Sequence, residues 1–126
     1  AVHGFASSAG GMFSIPHGVL CGTIMAVANK VTVRALRSRN TNNQTLAKYA
    51  RLGRLFSETS DKSDDYYTDA FVDYLLQLTE RFKLPLLREY GISEKDLLLI
   101  CEITDVKNNP VKLEREELME ILKERL

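Results

Sequence analysis

Residues 17–36 read HGVLCGTIMAVANKVTVRAL, and the spacing within them decides the fold class. Leu20, Ile24, Val27 and Val31 recur at alternating steps of four and three, which places them on one face of an α-helix. Gly18, Gly22, Ala26 and Ala28 are small, so neighbouring helices can approach closely. Pro16 stands just before the stretch, where its missing N–H costs little. Lys30, Arg34 and Arg37 lie toward the C-terminal end, where cations complement the helix dipole. Phosphate binding is the functional alternative for these three. The longest apolar run, Val19 to Ala28, is interrupted by Thr23 and falls short of the ~20 residues that span a bilayer.

Working outward toward the C-terminus, the chain continues as helices. The polar stretches Arg37–Gln44 and Ser57–Asp65 read as loops. Between them, residues 45–56 form a helix with Leu46, Ala50, Gly53 and Phe56 near one face. Residues 64–83 form another, with a broad stripe of Tyr67, Ala70, Phe71, Tyr74, Leu75, Leu78 and Phe82, and it stops before Pro85. Residues 93–104 carry the clearest start signal. Ser93 can accept from the N–H of Asp96, the Asp96 carboxylate can reach back, and Ile92 and Leu97 have the spacing of a hydrophobic staple. The last helix runs over 114–126, with Leu118, Ile121, Leu122 and Leu126 facing the core. Glu114, Glu116 and Glu117 sit in its favourable first turn. No segment alternates with period two, so the expected fold is an all-α bundle.

Composition sets the outer bounds. The 126 residues are 44% hydrophobic and 27% charged, with 17 basic and 17 acidic side chains. That balance belongs to an ordinary globular domain and gives no net field for nucleic acid or an anionic membrane. The two cysteines, Cys21 and Cys101, form no CxxC pair. Both lie among apolar neighbours and read as buried free thiols in a reducing, cytoplasmic setting. The acidic groups Asp64, Asp65, Asp69, Asp73 and Glu114–Glu117 read as solvated helix faces, not metal ligands.

Upstream of the decisive helix lies the stretch with most chemical content, HGFASSAGGMFSIPHG at residues 3–18. It holds the only two histidines, His3 and His17. For both to bind one metal, each ring nitrogen must come within ~2.0–2.2 Å of it. A continuous helix would hold the two Cα atoms ~21 Å apart, so the chain must turn back between them. Gly10 and Gly11 permit positive φ, and Pro16 stiffens the return. The expectation is a helix ending near Gly10, a loop through Ser14 and a new helix at His17. Two histidines with ordinary hydrogen-bond partners are the plainer alternative.

The pattern HGxxxxxGxxxxxPHG, as it stands from His3 to Gly18, resembles the C-terminal metal motif of the iron-containing (group III) alcohol dehydrogenases. CGTIMAVANKVTVRAL, LAKYARLGRLF, LPLLREYGISEKDL and NNPVKLEREEL follow the order of that family's C-terminal helices, so the resemblance covers the whole chain. It implies the helical domain of the dehydroquinate-synthase-like fold. In the family an α/β domain binds NAD or NADP, and the helical domain carries a divalent metal, iron or else zinc.

The resemblance makes His3 and His17 metal ligands. An aspartate and a histidine complete the usual set, and both would lie upstream of Ala1. Residues 1–126 are therefore expected to be a single helical domain cut from a longer chain, without its N-terminal nucleotide-binding domain and inactive alone. The implied substrate is a small alcohol or its carbonyl counterpart. Self-association into a homo-oligomer is expected where an apolar wall lies uncovered. Many members carry a further histidine four residues after the first ligand, implicated in proton transfer; here that position is Ser7, read as a small residue at a helix contact, with a hydrogen bond to substrate or water as the alternative, and no catalytic residue is assigned. The competing readings are a non-enzymatic helical scaffold and a related reductase or lyase sharing the fold.

Overall fold

The computed structural model describes residues 1–126. It contains six α-helices and no strand: α1 (Val2–Met12), α2 (His17–Ser38), α3 (Asn43–Leu55), α4 (Asp64–Arg81), α5 (Glu94–Ile103) and α6 (Arg115–Glu124), with a 3₁₀ turn at Leu87–Tyr90 before α5. The all-α expectation holds, and each expected helix is present with ends shifted by a few residues.

Helix α2 is the axis of the bundle. It packs against α1, α3, α4 and α6, while α5 pairs with α6 and touches α1. Leu20, Ile24, Val27 and Val31 are at most 3% exposed, as their spacing requires. By length and composition α2 is apolar enough to cross a membrane, because the helix runs well beyond the short Val19–Ala28 run. However, 61% of its apolar window is buried inside the domain, which is what the core helix of a bundle presents. The central cluster joins these residues to Phe5, Leu36, Leu87, Ile92, Leu97, Ile100, Ile121 and Leu122. Each such side chain contributes about 1.5–3 kcal/mol when fully buried.

Helix α3 and α4 form a hairpin on one flank. They cross at Gly53, where a Cβ would overlap the backbone of Tyr67. The fully buried residues of α4 are Tyr67, Thr68, Val72, Leu75 and Thr79; of the expected stripe Tyr67 and Leu75 are buried, Ala70, Phe71, Tyr74 and Leu78 are half-buried, and Phe82 is outside the core. Phe82 is 67% exposed and Phe56 is 52% exposed. Thr79 tolerates burial because its hydroxyl donates to the Leu75 carbonyl at 2.9 Å. Phe56 instead stacks on Tyr74, with ring centroids 4.3 Å apart.

Local signals fix the remaining ends. The Asp96 carboxylate accepts from both the N–H and the hydroxyl of Ser93, each at 2.8 Å. The staple pair Ile92 and Leu97 is buried. Glu117 reaches back to the N–H of Glu114 at 2.7 Å. The basic residues of α2 meet carboxylates: Lys30 pairs with Glu124, Arg34 with Glu120, and Arg37 with Asp65 and Asp69. Those pairings favour the structural reading of the basic turn over phosphate binding. Arg125 closes the C-terminal end, donating to Thr23 Oγ1 at 3.0 Å and to the Leu84 carbonyl at 2.9 Å.

Candidate metal centre

The turn between α1 and α2 differs from the one expected. Helix α1 runs straight through Gly10 and Gly11 to Met12, and the only glycine with positive φ is Gly91. The glycines therefore do not make the return. Phe13 (φ −129°, ψ 147°) and Pro16 (φ −57°, ψ 134°) make it, both in extended backbone. Ile15 is 7% exposed and anchors this connection in the core.

Arithmetic shows why a helix and an extended loop bring the two histidines together. From His3 to Met12 the helix climbs about 13.5 Å at ~1.5 Å per residue. From Met12 to His17 there are five Cα steps, which in extended chain span up to about 17–18 Å. The loop thus undoes the climb, and His17 opens α2 at the level where His3 opens α1. The two ring centroids lie 5.7 Å apart, with their planes inclined by 22°.

A third donor stands beside them. Cys21 follows His17 by one helical turn, so both project from the same face of α2. Ring nitrogens of His3 and His17 and the Cys21 sulfur all lie within 4.8 Å of one another. Both histidines are exposed and Cys21 is half-buried. Burial pushes the Cys21 thiol above its ordinary range. It pushes Cys101 further, to about 11, partly offset by Arg115. Sequence reasoning grouped the two cysteines as buried thiols; the structure separates them. Cys101 is in the core, whereas Cys21 faces the histidines. The spacing of His17 and Cys21 on one helix was the available signal.

The position of His3 is set by its neighbour. Gly4 lies so close to the end of α5 that a Cβ there would overlap the carbonyl oxygen of Asp105. The contact is reinforced by Ser8, whose hydroxyl lies 2.7 Å from Thr104 Oγ1. Thr104 in turn donates to the Ile100 carbonyl at 2.6 Å. Ser7, one turn after His3, is exposed and not packed in a helix contact as expected; it lines an open cleft of about 410 Å³ together with His3, Ile103, Asp105, Lys107 and Asn108. None of the acidic residues dismissed as ligands belongs to the cluster. Asp64, Asp65, Asp69 and Glu117 pair with arginines elsewhere.

The donor set suits a divalent metal. Tetrahedral ligation at ~2.0–2.3 Å would separate such donors by about 3.3–3.6 Å. Atoms already within 4.8 Å reach that by modest side-chain rotation. The fold itself is shared with solved enzymes. It superimposes on 1,3-propanediol oxidoreductase with a TM-score of 0.80 and 22% sequence identity, covering 99% of this chain and 32% of that one. It superimposes on alcohol dehydrogenase from Oenococcus oeni with a TM-score of 0.76 and 25% identity, again covering 99% of this chain and 32% of the other. The chain thus spans about a third of the length of these structures. No curated protein sequence matches it. All of residues 1–126 match the model for the C-terminal part of the Fe-containing alcohol dehydrogenase family, and the chain belongs to that family.

Proposed function

We propose that this chain is the metal-carrying helical part of an NAD- or NADP-dependent alcohol dehydrogenase that interconverts alcohols with aldehydes or ketones. His3 and His17 are two ligands of its divalent metal, iron or zinc. The observation that supports this most is the convergence of the two imidazoles at one end of the bundle, in a chain of this family. On this reading the nucleotide-binding domain and the remaining ligands lie in sequence outside these 126 residues, the chain alone is inactive, and the setting is cytoplasmic.

When bound, such a metal supplies Lewis acidity toward the substrate oxygen and the nicotinamide supplies or accepts the hydride. The residues of this chain hold and orient. His3 and His17 act as neutral imidazoles, each offering a ring-nitrogen lone pair. The close contact of Gly4 with α5 keeps His3 in place, and the extended backbone at Pro16 keeps His17 opposite it. Ser7 offers a hydroxyl to substrate or water in the adjoining cleft. A serine hydroxyl does not titrate near neutral pH as an imidazole does, so Ser7 does not stand in as a general base.

A covering domain also suits the exposed apolar residues beside the site. Leu99 and Ile103 lie one turn apart on α5 and are 48% and 52% exposed, and Ile103 forms part of the cleft wall. The same exposure would serve a non-enzymatic scaffold, and metal binding discriminates the two. Calorimetric titration of the chain with zinc or ferrous iron should show binding that is lost in His3→Ala and in His17→Ala. Binding that survives either substitution unchanged removes that histidine from the site. Loss of both assignments would leave the scaffold reading.

A further inference from the structure

We propose that Cys21 is a third metal ligand, forming with His3 and His17 a two-nitrogen, one-sulfur face that takes zinc in preference to iron. The proposal rests on the reading of His3 and His17 given above and deepens it.

Three observations carry it. The Cys21 sulfur lies within 4.8 Å of donor nitrogens on both histidines, close enough for all three to reach one ion without movement of either helix. Cys21 and His17 sit one turn apart on α2, while His3 comes from α1, so the packing of two helices fixes the donors from two sides. Cys21 is also the half-buried cysteine, accessible to an ion, whereas Cys101 is buried in the core.

Chemistry then selects the metal. Within these 126 residues the cluster offers no carboxylate or carbonyl donor, the type that suits hard cations, and an aspartate from outside them would bind zinc or iron alike. Imidazole suits zinc and iron alike, and a thiolate shifts preference toward zinc. Zinc also stands above ferrous iron in the general affinity order for such sites. On coordination the Cys21 S–H bond breaks, a sulfur–metal bond forms and the proton passes to solvent. No electron is transferred, and in the 126-residue chain water fills the coordination left over.

Cobalt(II) titration of the 126-residue chain tests this, because cobalt replaces zinc and reports its ligands by colour. The expected result is visible bands of a tetrahedral ion together with a near-ultraviolet thiolate-to-cobalt charge-transfer band. Zinc should displace the cobalt and bleach both. Cys21→Ser should lose the charge-transfer band, and Cys101→Ser should keep it. Loss of an outer-shell partner alone weakens metal binding by ~10–100-fold, so zinc affinity should fall at least ~10-fold in Cys21→Ser. Cys21→His should retain visible bands while losing the thiolate band, and far-ultraviolet circular dichroism should show every variant equally helical.

Visible bands that depend on His3 and His17 but lack a thiolate band in the unsubstituted chain would overturn the cysteine assignment and leave the histidine site standing. A chain that binds no cobalt would overturn both. Iron binding as tight as zinc binding would overturn the preference.

Discussion

Substituting Gly4 by alanine tests whether the contact between α1 and α5 positions the metal site. An added Cβ would overlap the Asp105 carbonyl oxygen, with Thr104 Cγ2 3.0 Å and the Asp105 carbonyl carbon 3.1 Å away. Two of these three atoms are backbone, so no side chain can swing aside to relieve the overlap. Ordinary contact begins near 3.4 Å, and regaining it requires α1 to move by about 1 Å or more. Overpacking of this kind costs about 1–3 kcal/mol. Alanine gains about 0.5–1 kcal/mol over glycine within a helix, which offsets part of the cost.

The net expectation for Gly4→Ala is a loss of about 1–2 kcal/mol. For a domain of this size that lowers Tm by about 3–10 °C. The shift also carries His3, so zinc affinity should fall with stability. Gly10 is the control, since it lies in the same helix and a Cβ there meets nothing within 4 Å. Gly10→Ala should raise Tm by a few degrees and leave zinc binding unchanged. The assay is thermal unfolding followed by circular dichroism, beside calorimetric zinc titration. A Gly4→Ala chain at least as stable as the parent, with unchanged zinc affinity, would refute the argument that this close approach sets His3.

The other expectations follow the same physics. Gly53→Ala places a Cβ against the Tyr67 backbone and should lower Tm comparably, with no effect on zinc binding because α3 and α4 lie away from the site. Asp96 is held below its ordinary 3.8 by its bonds from Ser93. Its stabilisation is therefore complete above that value and is lost as pH falls through the depressed one; Asp96→Asn should remove this contribution and flatten the acid side of the stability–pH profile. Arg125→Met leaves Thr23 and the Leu84 carbonyl without their donor and should cost about 1–3 kcal/mol, measured by urea unfolding. The chain by itself should show no alcohol-dependent reduction of NAD or NADP with added zinc or ferrous iron. Metal-dependent turnover within ~10-fold of a full-length relative would defeat that expectation, since positioning of two reactants supplies much of the rate enhancement.

The sequence by itself determined the helical class, the core face of α2 and the helix starts at Ser93 and Glu114. These are local properties. A 3.6-residue period and a carboxylate three residues after a cap act within one or two turns of chain. It also determined that the two histidines must come together if they are to share an ion, because that follows from reach alone. Tertiary structure decided how they meet. Gly10 and Gly11 have the freedom to turn, yet the helix continues through them, and Ile15 buried in the core carries the return through extended backbone instead. Tertiary structure likewise decided which face of α4 is inside. Packing against α2 and α3 buries Thr68 and Thr79 and leaves Phe82 in solvent, since a threonine can satisfy its own hydroxyl within the helix. The separation of Cys21 from Cys101 is of the same kind. Both have apolar neighbours in sequence; helical spacing puts Cys21 one turn from His17, and the meeting of α1 with α2 adds the second imidazole, His3.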